Sequence, residues 1–195
     1  MKFVFKIVIS GITEPSVWRK VEVPGDYTFK RFHKVIQVAF GWENLHSFVF
    51  YESEDKEKLH IFMPHEDDIA MGKDRMADAT ITKISDVFSD DYRRLTYSYD
   101  SNDNWKHEIT LEEITNEDIK RPHCTEGEGM CPPEGCGGVR EYEHMKSIFR
   151  DKPDSSEARR CREWLFMEGD EILDPEYFTE AEIEEINDIF QRYFK

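Results

Sequence analysis

The chain has no run of about 18 apolar residues, so it holds no segment long enough to cross a bilayer as a helix. It has no Gly-x-Ser-x-Gly elbow, no His-Glu-x-x-His helix and no Gly-Lys-Ser/Thr loop. These absences remove the sequence marks of the α/β-hydrolases, the zinc proteases and the P-loop nucleotide binders. Cationic charge is scarce: 26 Lys and Arg face 42 Asp and Glu, a formal net charge of −16. Phosphate backbones are held by a cationic footprint, so this balance excludes nucleic-acid binding over the whole surface. Cysteine is sparse too. Cys124, Cys131, Cys136 and Cys161 are the only four, and three of them fall in one short stretch. A disulfide framework that staples a secreted domain spreads its bridges more widely, so reduced thiols in the cytoplasm are the expected state. The apolar start, Met1 to Ile9, is interrupted by Lys6 and followed by no small-residue cleavage site, and reads as a strand rather than a leader.

What is present is bulky apolar surface: 14 Phe, 8 Tyr and 4 Trp, with 38% hydrophobic residues overall. This suffices for a core in a single domain over residues 1–195. Three parts are expected within it: a sheet-plus-helix core over 1–121, a Cys/Gly/Pro loop over 122–138 and a helical part over 139–195. Charge divides along the chain. Residues 1–40 hold seven basic and three acidic side chains, whereas residues 151–195 hold six basic and fourteen acidic ones.

Periodicity fills in the elements. Phe3, Phe5, Ile7 and Ile9 alternate as in a strand. Val17, Val21 and Val23 share one face of a second strand, with Trp18 on the other. A helix is expected from Thr28, with Phe29, Phe32, Ile36, Ala39 and Phe40 on one stripe and Gly41 ending it. Ser47–Tyr51 and Leu59–Met63 read as strands and 64–78 as a polar loop. Ile81–Phe88 fits either a strand end or a short helix. Leu95, Tyr97, Tyr99 and then Trp105, His107, Ile109, Leu111 read as a hairpin across Ser101–Asn104. Residues 121–138 show no periodicity. Helices follow over 139–150, after a capping box at Asp154–Glu157 that would bury Cys161, Trp164 and Leu165, and after a second box at Thr179–Glu182. The class is α+β: a mostly antiparallel sheet, one early helix packed on it, and a helical C-terminal region.

Three blocks together carry a family resemblance: Val17 to Val21 running on to Phe40-Gly41-Trp42-Glu43-Asn44-Leu45-His46, then Tyr97 to His107, then Pro122 to Gly138. In order and spacing they resemble the plasmid pRiA4b ORF-3-like family, over roughly residues 1–180. The resemblance implies the α+β fold and a link to plasmids or mobile elements, and brings no established activity with it. Two positions depart from the family pattern. Where members carry His-x-His, this chain has His46 and then Phe48. Where members read Asp-Phe-Gly-Asp, it has Asp100-Ser101-Asn102-Asp103, in which Asn102 is the residue suited to a left-handed turn.

Several residue groups have chemistry to offer. Cys124, Cys131 and Cys136, with His123 or Cys161 as a fourth donor, have the ligand types of a structural zinc, although the strong Cys-x2-Cys spacing is missing; the alternative is free or paired thiols in a Pro-bracketed loop. His46, Asp100, Asp103 and His107 could hold a catalytic divalent metal; alternatively the two Asp make turn bonds and His107 is a satisfied core residue. Gly127, Gly129, Gly137 and Gly138 serve tight turns. Trp18, Trp42 and Trp105 are candidate ligand-stacking surfaces. Arg19, Lys20, Lys30, Arg31 and Lys34 form a possible local basic patch for nucleic acid, set against an ordinary solvated face. Cys161, beside Trp164 on an amphipathic helix, reads as packing. The favoured function is a non-enzymatic binding or interaction module with a sheet-face pocket, and the alternative a metal-dependent hydrolase or nuclease.

Overall fold

The computed structural model describes residues 1–52, 59–64, 76–171 and 173–194. Eight strands form one sheet: β1 (Lys2–Ile9), β2 (Trp18–Pro24), β3 (Phe48–Tyr51), β4 (His60–Phe62), β5 (Met76–Asp78), β6 (Arg94–Tyr99), β7 (Trp105–Thr115) and β8 (His123–Glu128). Their order is β5-β4-β3-β6-β7-β1-β2-β8. Every pairing is antiparallel except β4 with β5. Five helices accompany it among the described residues: α1 (Phe29–Phe40), α2 (Ile84–Val87), α3 (Gly138–Asp151), α4 (Ser156–Leu165) and α5 (Glu180–Tyr193). The α+β class read from the sequence is the one observed.

The strand alternation sorts the two faces of the sheet. Phe3, Phe5, Ile7, Val21, Val23, Leu95, Tyr97, Ile109 and Leu111 are buried on the inner face. The outer face is a lattice of charge. Lys2 pairs with Glu22 at 2.9 Å and Glu117 at 2.6 Å, and Lys20 pairs with Glu126 at 3.1 Å and Glu112 at 3.2 Å. Helix α1 covers the inner face. Its Phe32 ring lies 4.8 Å from Phe5 and its Phe29 ring 5.0 Å from Phe50, while Phe88, just past α2, reaches Phe5 at 4.8 Å. Each fully buried Phe stabilises the fold by roughly 2–3 kcal/mol.

Local signals set the helix ends. Thr28 Oγ1 accepts from the Arg31 amide at the start of α1, and Gly41, at φ 74°, closes its end. Glu182 Oε2 accepts from the Thr179 amide at 2.8 Å to open α5. For α4 the cap is Ser155, accepting from Ala158 N at 3.0 Å, one residue later than the Asp154 start expected. In this helix Ala158 and Arg162 face inward and Cys161 and Leu165 are half-buried, while Trp164, expected inside, is exposed.

Two strands escaped the pattern. The three-residue strand β5 falls inside the expected loop 64–78, of which residues 65–75 lie outside the described residues. Strand β8 falls inside the stretch that showed no periodicity. Its sequence is His-Cys-Thr-Glu-Gly-Glu, so it pairs by backbone with β2 while presenting only one buried side chain, Cys124. The outer edge of β8 is met by Asn187 of α5. Its side-chain oxygen accepts from Cys124 N at 2.8 Å and its nitrogen donates to Cys124 O at 2.9 Å, occupying both backbone groups of that residue. The β6–β7 turn also differs from expectation: its left-handed residues are Asp100 (φ 55°) and Asn104 (φ 54°), not Asn102. Asn102 instead donates its amide to Asp100 Oδ1 at 2.9 Å.

Gly41 and Gly138 separate two reasons for glycine. Both have positive φ, but a Cβ on Gly41 meets nothing within 4 Å, whereas one on Gly138 stands 2.6 Å from the carbonyl oxygen of Asp103. Gly41→Ala should therefore cost about 1 kcal/mol in urea unfolding, the backbone penalty alone. Gly138→Ala should cost distinctly more, because the hairpin turn must move away. Equal losses would show that the turn yields freely.

Candidate functional site

The hairpin β6–β7 places Tyr97 and His107 as cross-strand partners, and Tyr99 and Trp105 likewise, all buried. The Trp42 ring lies 5.4 Å from Trp105 and 5.5 Å from Tyr99. Its Nε1 donates to His107 Nε2 at 3.2 Å, so that nitrogen carries no proton, and His107 Nδ1 donates to Trp105 O at 3.2 Å. Both ring nitrogens are used, and burial lowers the His107 pKa to about 4.

A second buried chain runs beside it. Gln37 Nε2 donates to the Tyr97 hydroxyl at 2.9 Å, which donates to His33 Nδ1 at 2.8 Å, and His33 Nε2 donates to Asn44 Oδ1 at 2.6 Å. The chain has one consistent direction and fixes the His33 tautomer. Burial, aided by Lys34, brings the His33 pKa to about 4 against the opposing Asn44 bond. Burial holds the Tyr97 hydroxyl well above its usual range. The His33 ring also stacks on Phe48 at 3.8 Å.

Around the rim of this core lies a polar cluster. His46 Nε2 is 3.5 Å from Asp100 Oδ2 and 3.5 Å from Glu134 Oε1. The Tyr99 hydroxyl donates to Glu134 Oε1 at 2.9 Å and accepts from Leu45 N at 3.0 Å; Glu43 N donates to Glu134 Oε2 at 3.1 Å. Burial and the Glu134 bond push the Tyr99 pKa up to about 12. The cluster thus joins three distant stretches: the segment after α1, the hairpin and the Cys/Pro loop. Asp103 adds a further tie, accepting from Gly137 N at 3.0 Å just before α3.

Of the four residues in the hydrolase reading, the structure brings His46 and Asp100 together. Asp103 is engaged with Gly137, and His107 is sealed among Trp42, Phe40 and Tyr97. The cysteines are also dispersed, and all four are free thiols. Cys124 is buried on β8, Cys131 lines a large cleft beside Arg19, and Cys136 and Cys161 line a separate cavity of about 390 Å³. Burial raises the thiol pKa of Cys124 to about 11 and of Cys136 to about 12, and that of Cys131 higher still. His123 is exposed at the start of β8. Among the described residues no three His, Cys, Asp or Glu side chains converge as ligands of a metal ion.

The three tryptophans do not share a pocket. Trp42 and Trp105 pack in the core, while Trp18 lies on the outer sheet face, under Lys6 at 4.1 Å and bonded to Glu128 at 2.8 Å. The basic patch is dispersed as well. Arg19 shares the inward face of β2 with Val21 and is 3% exposed, Lys20 is ion-paired on the outer face, and Lys30, Arg31 and Lys34 sit on α1. Arg19 donates to four carbonyl oxygens, those of Trp18, Ala39, Glu128 and Gly129, and its guanidinium lies 3.5 Å from the Phe178 ring centre. Burial lowers its pKa to about 10.

Glu134, Tyr99, His33, Gln37 and Asn44 were not among the residues singled out by sequence. The legible signal was tyrosine at alternate inward positions, since a buried hydroxyl needs a partner. Nothing in Pro-Pro-Glu-Gly marks Glu134 as the residue that reaches His46.

A one-sheet α+β protein with three sequence blocks meeting at one polar cluster is the class that the fold and site define. The chain belongs to the plasmid pRiA4b ORF-3-like protein family, whose model matches residues 1–182. It is 29% identical over 152 residues to the uncharacterized protein y4hQ of Sinorhizobium fredii, covering 77% of this chain and 74% of that protein. The crystal structure of MM3350, a protein of unknown function from Methanosarcina mazei Go1, matches with a TM-score of 0.77 and 33% identity, over 93% of this chain and 97% of that one.

The two buried histidines predict a pH dependence. An unfolded histidine titrates near 6.5, and these two titrate near 4 in the fold, so between those values the unfolded chain binds more protons. Stability should therefore fall as pH drops from 6.5 towards 4, by roughly 3 kcal/mol per histidine at full effect. Urea unfolding across that range checks it, and His107→Gln should flatten part of the slope. A slope unchanged in that variant would assign the acid sensitivity to other groups.

Proposed function

We propose that the protein is a non-enzymatic binding module whose ligand site is the pocket of about 500 Å³ beside His46. Among the described residues its wall includes His33, Asn44, His46, Phe48, Phe62 and Met63. Lys30 and Lys34, exposed and one turn apart on α1, also border it and make no ion pair among the described residues. The observation that carries the reading is the convergence of pre-positioned polar groups on an apolar pocket. His33 and Asn44 are fixed by the hydrogen-bond chain from Tyr97, and His46 is held by Asp100 and Glu134. A largely apolar cavity with a few oriented polar groups is the usual form of a small-molecule site. The chemistry suits a ligand with a flat apolar body, which Phe48 and Phe62 would contact, and an anionic end directed to Lys30 and Lys34.

The dye 8-anilinonaphthalene-1-sulfonate has that chemistry and serves as a probe. Calorimetric titration should give about one equivalent bound. The double variant Lys30→Ala/Lys34→Ala should weaken binding by about fivefold, roughly 1 kcal/mol, with unchanged unfolding behaviour. Affinity indifferent to both lysines would remove the anionic-ligand reading.

A further inference from the structure

A larger cleft, of about 680 Å³, lies on another part of the molecule. It is walled by the end of α1, the Met130–Glu134 loop, the end of α4 and one face of α5. Three large side chains at or near it are turned to solvent: Phe166 is 93% exposed, Tyr177 54% and Trp164 46%. Phe166 also sits at φ 55°, a left-handed position that costs an L residue energy and that glycine would fill without strain. The fold gains nothing from that ring where it stands.

The charge of the cleft has one sign. Glu43, Glu134, Glu182 and Glu185 line it, and the single cation of the wall among the described residues, Arg19, is buried with its N–H groups turned onto backbone carbonyls. Helix α5, whose face walls the cleft, carries Glu180, Glu182, Glu184, Glu185 and Asp188 against Arg192. A second copy of this chain would bring acid against acid. An extended peptide added to the sheet is opposed at β8, because Asn187 occupies the free backbone groups of Cys124. What remains is a helix laid in a groove between helices.

We infer that this cleft docks a cationic amphipathic helix of a partner protein, its apolar side against Phe166, Trp164 and Tyr177 and its Lys or Arg side facing Glu43 and Glu185. Apolar anchors in the groove would supply most of the affinity, and the acidic rim would select the charge and speed the encounter. This surface is separate from the pocket beside His46, and neither reading depends on the other.

The test uses two designed helical peptides of equal length, one of alternating Leu and Lys faces and one with every Lys replaced by Glu, titrated into the full chain at low and at physiological salt. The Leu/Lys peptide should bind and the Leu/Glu peptide should not, with affinity falling as salt rises. Phe166→Gly keeps the left-handed backbone and should leave the fold equally or more stable while weakening the Leu/Lys peptide about tenfold. Glu43→Lys/Glu185→Lys should shift preference towards the Leu/Glu peptide; neither residue makes an ion pair among the described residues. Equal binding of both peptides, or an affinity unmoved by Phe166→Gly, overturns the proposal. Self-association of the chain that masks the cleft and excludes the peptide assigns the surface to a second copy and overturns it as well.

Discussion

The inner face of the sheet is closed off from water, yet the alternation of β2, β6 and β7 delivers polar side chains to it. Tyr97, His107 and Arg19 fall on inward positions by register, and each would cost a few kcal/mol if left without partners. The arrangement around them answers that constraint. Trp42 is drawn over the hairpin because its indole N–H has His107 to donate to. Helix α1 contributes His33 and Gln37 on its buried stripe, among phenylalanines, because Tyr97 needs both a donor and an acceptor. The helix that looks like a plain apolar cover is therefore also the acceptor and donor set for the sheet beneath it.

Arg19 shows the same constraint at its most severe. A guanidinium inside a protein usually meets a carboxylate, and this one meets four carbonyl dipoles and an aromatic face instead. Its partners come from β2 itself, the end of α1, and the end of β8 with the residue after it, and Phe178 comes from the segment before α5. One side chain thereby ties the segment leading into α5 to the first half of the chain. The local excess of positive charge read over residues 1–40 is correspondingly smaller at the surface than in composition.

The strong periodicities were legible: β1, β2, the hairpin, α1 with its Thr28 and Gly41 ends, and the Thr179 cap of α5. These are elements whose own residues state both the face and the ends. The elements that were not legible derive their place from elsewhere. Strand β8 is paired through backbone atoms with almost no buried side chain, and β5 is three residues long. At the site, His46 and Asp100 could be singled out because histidine and aspartate announce chemistry wherever they occur. Glu134 could not, since a glutamate in a Pro- and Gly-rich loop looks like any solvated residue until the fold carries the loop back to the hairpin. Arg19 was misplaced for the opposite reason. Charge suggested the surface, while strand register, shared with Val21 and Val23, dictated the core, and register prevailed.

Glu134 touches His46, which lines the smaller pocket, and itself lines the larger cleft. A carboxylate of the larger cleft thus lies against a wall residue of the smaller pocket. Thermodynamic linkage makes any coupling through that contact symmetric: to whatever extent a guest in one cavity alters how Glu134 meets His46, the affinity of the other cavity changes by the same factor in both directions. A short loop of Pro, Glu and Gly, the part of the chain with the least periodicity, is then a place where the surroundings of two separate surfaces touch.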